Sequence, residues 1–533
     1  MIRFLFTSFF LLSIIASYSI NIQGVVRDAQ TGELLIGANV YLKNNKSNGT
    51  TSGLDGSFVL KNVKAEKVIL VCSYISYQTL EKEITVPTNG IQKLALNLVS
   101  YENELHDVII TASNKSTDIG VRALERLSSN VLNIVDAHSI EISPDLTVAN
   151  VLGRVSGVTL ERNSSGEAEY AILRGMDKRY NITLVNGVKI SSPNNKQRFV
   201  PLNIFPSELL DRLEVSKTRS AEMEGDATGG AVNMVMKDAP SRLTVKANAS
   251  VGYNSMFFDR AYLGFDKSKV IPTSPYEKYG NTYSATMADF GNGIYAPVEK
   301  QPLPNIVTGF SVGNRLFDKK FGFIVAANYQ NVNKGTNSVF FKDDMVQTES
   351  TLRLTAIEKR EYSENQTQYG LHAKFDYVFS KNHKIEFYNF YVANGVSQVR
   401  QTNSTNFKLF YEPEKGNLDL SYQTRMRTTN QQILASTLHG EHKFNSKLNF
   451  DWTAVYSSAG LQRPDLMYIN LDNLQQNFVN NINIDGDGSE RRFEHNSDQD
   501  ISGIVNAEYK LLTEAGNFKF KAGGLFRTKA REN

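Results

Sequence analysis

Two residue types are nearly absent from these 533 residues: one cysteine, Cys72, and one tryptophan, Trp452. A single thiol cannot form an internal disulfide, so no cross-linked scaffold holds the chain, and Cys72 is expected to be a buried strand residue. Past residue 20 no apolar run approaches the roughly 20 residues of a spanning helix, so any membrane crossing must use strands. An excess of one charge is also lacking. The 58 basic and 55 acidic residues leave a net +3, which gives nucleic acid no footprint to bind. The seven histidines are scattered. His439 and His442 lie three apart on an expected strand and so point to opposite faces, a poor start for a shared metal. No catalytic constellation emerges, and neither an enzyme nor a bound cofactor is expected.

What the chain does have is alternation. From about residue 241 onward, runs of about ten residues alternate apolar with polar. Leu371, Ala373, Phe375, Tyr377 and Phe379 oppose His372, Lys374 and Asp376, and Leu448, Phe450, Trp452, Ala454 and Tyr456 oppose Asn449, Asp451 and Thr453. Nine strands are expected, near 242–253, 305–316, 321–331, 367–379, 384–396, 431–444, 447–458, 501–512 and 517–528. A soluble sandwich has the same period, with its apolar face inward. The connections separate the two readings, because tight links at 317–320, 380–383, 445–446 and 513–516 alternate with long ones at 254–304, 332–366, 397–430 and 459–500. Such asymmetry is expected when the two ends of each hairpin face different compartments, as in a transmembrane barrel. Nine strands are an odd number and single-chain bacterial barrels are even, so residues 241–533 are read as the first strands of a larger, incomplete barrel.

Ahead of the strands lie three segments. Residues 1–19 read as an export signal, with Arg3 before a short apolar core and small residues at Ser17 and Ser19. Residues 20–100 alternate short apolar runs with turn punctuation, as a small β-sandwich does. Gly24-Val-Val-Arg-Asp28, Thr31 to Val40 and Gly49 to Phe58 in this stretch resemble the carboxypeptidase regulatory-like domain, an accessory module without hydrolytic machinery. After a linker at 101–118, residues 119–240 carry a mixed α+β order with Leu173-Arg-Gly175, a turn at Val185-Asn-Gly187 and the exit Gly229-Gly-Ala-Val-Asn-Met-Val235. This module resembles the plug domain of TonB-dependent receptors, and the resemblance extends over essentially the whole chain. The fold expected is therefore mainly β: an N-terminal β-sandwich, an α+β plug and a partial antiparallel transmembrane β-barrel.

The resemblance also implies roles. Asp107, Val108, Ile109, Ile110, Thr111 and Ala112 look like a TonB box, offered by strand addition to TonB of the inner-membrane proton-driven motor. Plug apical loops would meet the ligand, and here they supply Asp177, Lys178, Arg179, Tyr180, Asn194, Asn195, Lys196 and Arg198. Charged and amide groups of this kind suit an anionic or hydroxyl-rich ligand, although solvated loops look the same. Arg174 and Glu214 match residues that lock the plug to the barrel wall. The implied function is active import across the outer membrane, of a ferric siderophore as the commonest family role or of a glycan, with outer-membrane lipid and a surface lipoprotein as further partners. A passive porin or a surface adhesin on the same barrel is the rival from another class. Two motifs are set aside: 224–230 is Gly-rich without the ending of a phosphate loop, and Asp485-Gly-Asp-Gly-Ser489 begins like a calcium loop but is better read as a turn.

Overall fold

The computed structural model describes residues 19–29, 32–64, 67–75, 77–85, 92–99, 118–128, 130–221, 223–290, 296–346, 351–408, 410–513 and 516–533. Residues 1–18 of the expected signal and the whole 107–112 segment lie outside them. The chain divides into two compact units, 1–109 and 110–533.

The first unit is a β-sandwich. One sheet orders Ser57–Lys64, Ser19–Asp28 and Gln92–Leu98; the other orders Asn45–Thr51, Asn39–Leu42, Lys67–Ser73 and Leu80–Thr85. Between them Ile22, Val26, Phe58, Leu60, Leu70 and Leu96 are fully buried. Gly24 is required by close approach, since a Cβ there would sit 2.3 Å from the Leu94 carbonyl oxygen and 2.6 Å from the Phe58 ring. Cys72 lies buried in this core, and burial pushes its thiol up to about 12.

In the second unit, elements from helix Asp118–Leu127 to strand Gly230–Met236 form the plug. Its five-stranded mixed sheet runs Val188–Lys189, Asn181–Val185, Gly230–Met236, Leu210–Ser216 and Leu132–Asp136. Nine antiparallel strands follow in sequential order: Thr244–Gly252, Asn305–Leu316, Phe321–Val346, Thr351–Ser380, His383–Asn406, Leu418–Lys443, Leu448–Gln475, Ile482–Thr513 and Gly516–Glu532. No pairing joins the first of these to the ninth among the described residues.

The parity of the fourth strand decides between sandwich and barrel. Its apolar residues face outward and its polar ones inward: Leu371 is 51% exposed and Phe379 57%, whereas Gln368 and His372 are 1% and Asp376 2%. A soluble sandwich would bury the first set. An apolar exterior around a polar interior is the arrangement of a strand in lipid. Aromatic rings gather near the tight turns, with Phe321 6.4 Å from Phe375 and Tyr377 4.8 Å from Phe379, where an interfacial girdle belongs.

Strand length departs from expectation. The connections read as loops at 332–366, 397–430 and 459–500 are mostly strand: one strand runs on to Val346 and the next begins at Thr351, and the later pairs end and begin at Asn406 and Leu418 and at Gln475 and Ile482. The fourth strand alone has 30 residues, about 100 Å at about 3.3 Å per residue, against an apolar band of about 25 Å. Beyond the band both faces meet water or polar lumen, so the apolar period fades, while the backbone ladder continues without it. The 253–304 link stays a long connection containing short helices Met256–Asp259 and Pro275–Tyr279, and it lays Phe265 over Val399, Met426 and Met467 on the outer face.

Replacing Leu371 by Arg should destabilise the protein in lipid vesicles by about 2 kcal/mol or more, read from denaturant midpoints. An unchanged midpoint would mean that this face meets water.

Candidate functional site

The plug presents three turns to the inner wall of the sheet. In the first, Asn163 ends strand Val158–Arg162, and its Oδ1 accepts from the Ser165 amide at 3.0 Å and the Glu167 amide at 3.1 Å. This local bonding replaces the ladder and fixes the turn. The sheet then grips it: Thr336 Oγ1 donates to the Ser165 carbonyl at 2.8 Å, and Lys334 pairs with Glu167 at 2.9 Å.

In the second turn Asp177 caps a 3₁₀ turn at Lys178–Tyr180, accepting from the Arg179 amide and Nε, both at 3.0 Å. Arg179 and Tyr180 stand exposed, the guanidinium 5.8 Å from the Tyr180 ring. Lys178 behaves differently. It folds back into an ion pair with Glu161, its ammonium 4.8 Å from the Tyr170 ring and 5.3 Å from that of Phe199. Burial pushes the neighbouring Glu169 carboxyl above its ordinary value.

The third turn is fastened to the wall. Ser191 and Ser192 donate backbone N–H groups to Ser457 Oγ at 2.9 Å and Asp498 Oδ2 at 3.0 Å. Asn195 donates to Glu494 at 3.0 Å, and Asn194 to the Tyr170 hydroxyl at 3.0 Å. Of the eight residues expected to meet ligand, Lys178, Asn194 and Asn195 are thus engaged with protein, while Asp177, Arg179, Tyr180, Lys196 and Arg198 stay exposed. Asp177, Lys178, Arg179 and Arg198 line one cavity of about 860 Å³ between the plug and the last strands.

Among the described residues, Arg174 and Glu214 take their partners inside the plug rather than from the wall. Arg174 is exposed and donates to the Lys217 carbonyl at 2.9 Å, while Glu214 accepts from Arg212 at 2.7 Å and Asn233 at 2.8 Å, all inside the plug. Both residues brace strand Leu210–Ser216 and its neighbours. The joint to the wall is made elsewhere. Glu224 accepts from Arg527 at 2.7 Å and pairs with Lys189 at 3.3 Å, and Lys189 also reaches Asp226 at 2.5 Å. Burial alone would raise the Glu224 carboxyl, but the Arg527 hydrogen bond and the Lys189 charge hold it below its ordinary value. The Gly-rich 224–230 segment, set aside as a phosphate loop, is therefore one place where the plug meets the ninth strand; Arg531, which donates to the Gln197 carbonyl at 3.1 Å, is another. The partners of Glu224 lie 35 and 303 residues away, so no local pattern announces them.

At 485–489 the chain forms an Asx turn, Asp485 Oδ1 accepting from the Asp487 and Gly488 amides at 3.1 and 3.0 Å. Among the described residues no group of three or more His, Cys, Asp or Glu is placed to hold a metal ion.

Against known families, residues 22–110 match the CarboxypepD_reg-like domain and residues 125–231 the TonB-dependent Receptor Plug Domain. The chain is similar to TonB-dependent receptor P3 of Formosa agariphila, 25% identical over 43% of this chain and 22% of that protein. It also resembles the vitamin B12 transporter BtuB of Photobacterium profundum, 23% identical over 28% of this chain and 25% of that protein. The match thus spans about a quarter of the length of these curated relatives. The ferric preacinetobactin receptor BauA of Acinetobacter baumannii aligns over 76% of this chain and 58% of its own at 12% identity, with a TM-score of 0.35.

Replacing Glu224 by Gln should cost about 1–2 kcal/mol at pH 7, because Arg527 and Lys189 lose a charged partner in a partly buried place. A carboxyl whose folded value lies below its unfolded one, about 4.3, stabilises above that pH, and the benefit is lost as pH falls through the lower folded value. Denaturation of both proteins across this range should therefore converge in acid. A difference that stays constant down to pH 2 would remove Glu224 as its source.

Proposed function

We propose that this chain, which carries a CarboxypepD_reg-like domain and a TonB-dependent receptor plug domain ahead of its antiparallel sheet, is an outer-membrane active importer. A plug held against the polar inner wall of an inside-out sheet is the observation that carries the reading. A pore with 22 or so strands would leak without such a stopper, and a passive porin has no use for one. Ligand would settle on the apical turns, around Arg179, Tyr180, Lys196 and Arg198. The ligand class we favour is a ferric siderophore, since the cavity between plug and last strands is lined by six basic side chains against four acidic ones. Asp107 to Ala112 would pair with TonB by strand addition, whose main-chain bonds share a tension applied along the strand. Export by the 1–19 signal would place the sandwich and this box in the periplasm.

Deleting 107–112 should abolish uptake and leave ligand binding to whole cells intact, and continued uptake would sink the coupling role. Ligand class is read from growth of a strain lacking the gene. A defect confined to iron-chelated medium supports the siderophore, whereas a defect confined to one oligosaccharide replaces it with a glycan.

A further inference from the structure

Five arginines stand on the upper inner wall of the sheet, and two are neutralised: Arg360 by Glu358 at 2.6 Å and Arg463 by Glu494. Arg400, Arg425 and Arg427 have no carboxylate within 4.0 Å among the described residues. Register sets Arg400 directly across from Arg425 on adjacent strands, with Arg427 two residues further on the same face. Like charges so opposed repel. Arg400 and Arg425 are also largely withdrawn from water, at 9% and 7% residue exposure, and the Nε of all three arginines has no hydrogen-bond partner. What they do touch is neutral: Arg400 donates to Gln423 Oε1 and Arg425 to Gln398 Oε1. Amide oxygens accept a hydrogen bond without cancelling a charge.

Their direction is settled by parity. Phe390 and Val392, even-numbered on the strand of Arg400, pack on the plug core, while odd-numbered Val399 lies under Phe265 on the outside. The three arginines therefore face the lumen. They lie beside the apical turn of the plug, because Gln398 donates to Glu364 at 2.7 Å and Ser165 of that turn reaches the same carboxylate at 3.5 Å. Glu364 and Glu169 are the acids whose charge Arg427 feels, and neither forms an ion pair with it.

We propose that Arg400, Arg425 and Arg427 form an anion site on the inner wall, beside the plug's apical turn, that takes a carboxylate, phosphate or sulfate group of the imported ligand. The proposal rests on the import reading above and adds the chemistry of what is imported. Guanidinium forks match planar or tetrahedral oxyanions bidentately, and register sets three of them side by side on the lumenal face of two adjacent strands. Arg400 and Arg425 face each other without an ion-paired carboxylate, and an anion bound between them would relieve that repulsion.

The test uses full-length protein in detergent, titrated with citrate and with inorganic sulfate, and with maltose as the neutral control. Both anions should bind with salt-sensitive affinity and raise the melting temperature; maltose should do neither. Arg425→Gln should weaken both anions at least tenfold and, with no anion present, melt no lower than wild type, whereas Arg360→Gln, which breaks a pair, should melt lower. Equal anion binding by Arg425→Gln and wild type would overturn the site, as would a lower melting point of Arg425→Gln with an unchanged anion response. None of these readouts needs TonB. Anion binding through Arg425 in a protein that imports nothing would fell the import reading alone, and import of a neutral ligand without any anion response would fell the anion site alone.

Discussion

A sheet with its apolar face outward must satisfy a polar face inward, and the rest of this unit follows from that requirement. When the plug displaces water from the lumen, each lumenal amide and imidazole needs a new partner. The plug answers with backbone. Gln330 donates to the Leu146 carbonyl at 3.2 Å, Gln368 to those of Asn203 and Ile204, and His372 meets the Lys237 carbonyl at 2.8 Å. These carbonyls belong to turns, short helices and strand ends, where the plug's own ladder leaves acceptors unpaired. A plug made of short elements and a wall rich in Gln, Asn and His are two halves of one solution.

The motifs that carry the family resemblance serve this geometry rather than the ligand. Arg174 and Gly175 both adopt positive φ, 55° and 73°, so Leu173-Arg-Gly175 is a left-handed turn that reverses the chain at the end of strand Ala168–Leu173, with Leu173 bridged to Met176. Gly230 has φ 147°, and a Cβ there would lie 2.4 Å from the Ser216 carbonyl oxygen. Glycine lets strand Gly230–Met236 approach its neighbour closely enough to enter the sheet. These positions fix how the plug folds, and so they are recognisable in a chain whose ligand contacts are its own.

The same reasoning explains what could be read in advance. Lipid imposes apolarity on every second residue only across its own thickness, so the short strands Thr244–Gly252 and Asn305–Leu316 were legible throughout, while the longer strands after them were legible near their tight turns and not near their far ends. The ladder from Phe340 opposite Glu358 upward is held by backbone pairing, to which side-chain pattern is nearly irrelevant. Cys72 was legible because an apolar strand buries what it carries. The Glu224, Lys189 and Arg527 joint was not, since ion pairs across hundreds of residues leave no period. Arg174 and Glu214 show how little a motif says about contacts: among the described residues they take their partners from the neighbours they have, Lys217, Arg212 and Asn233.

The interface that results is divisible. Its apolar part is compact, centred on Phe205 against Phe390 at 6.1 Å with Tyr388, Val392 and Ile433 nearby. Around it the attachments are separate hydrogen bonds and ion pairs, each worth about 1 kcal/mol net. A single continuous apolar interface would have to part all at once. Separate polar contacts can open one after another, and each group released finds water again at once, so the barrier to moving part of the plug is far smaller than the sum of its attachments. A plug held in this way can yield locally without parting from the wall as a whole, and a sheet with its polar face inward favours attachments of this kind.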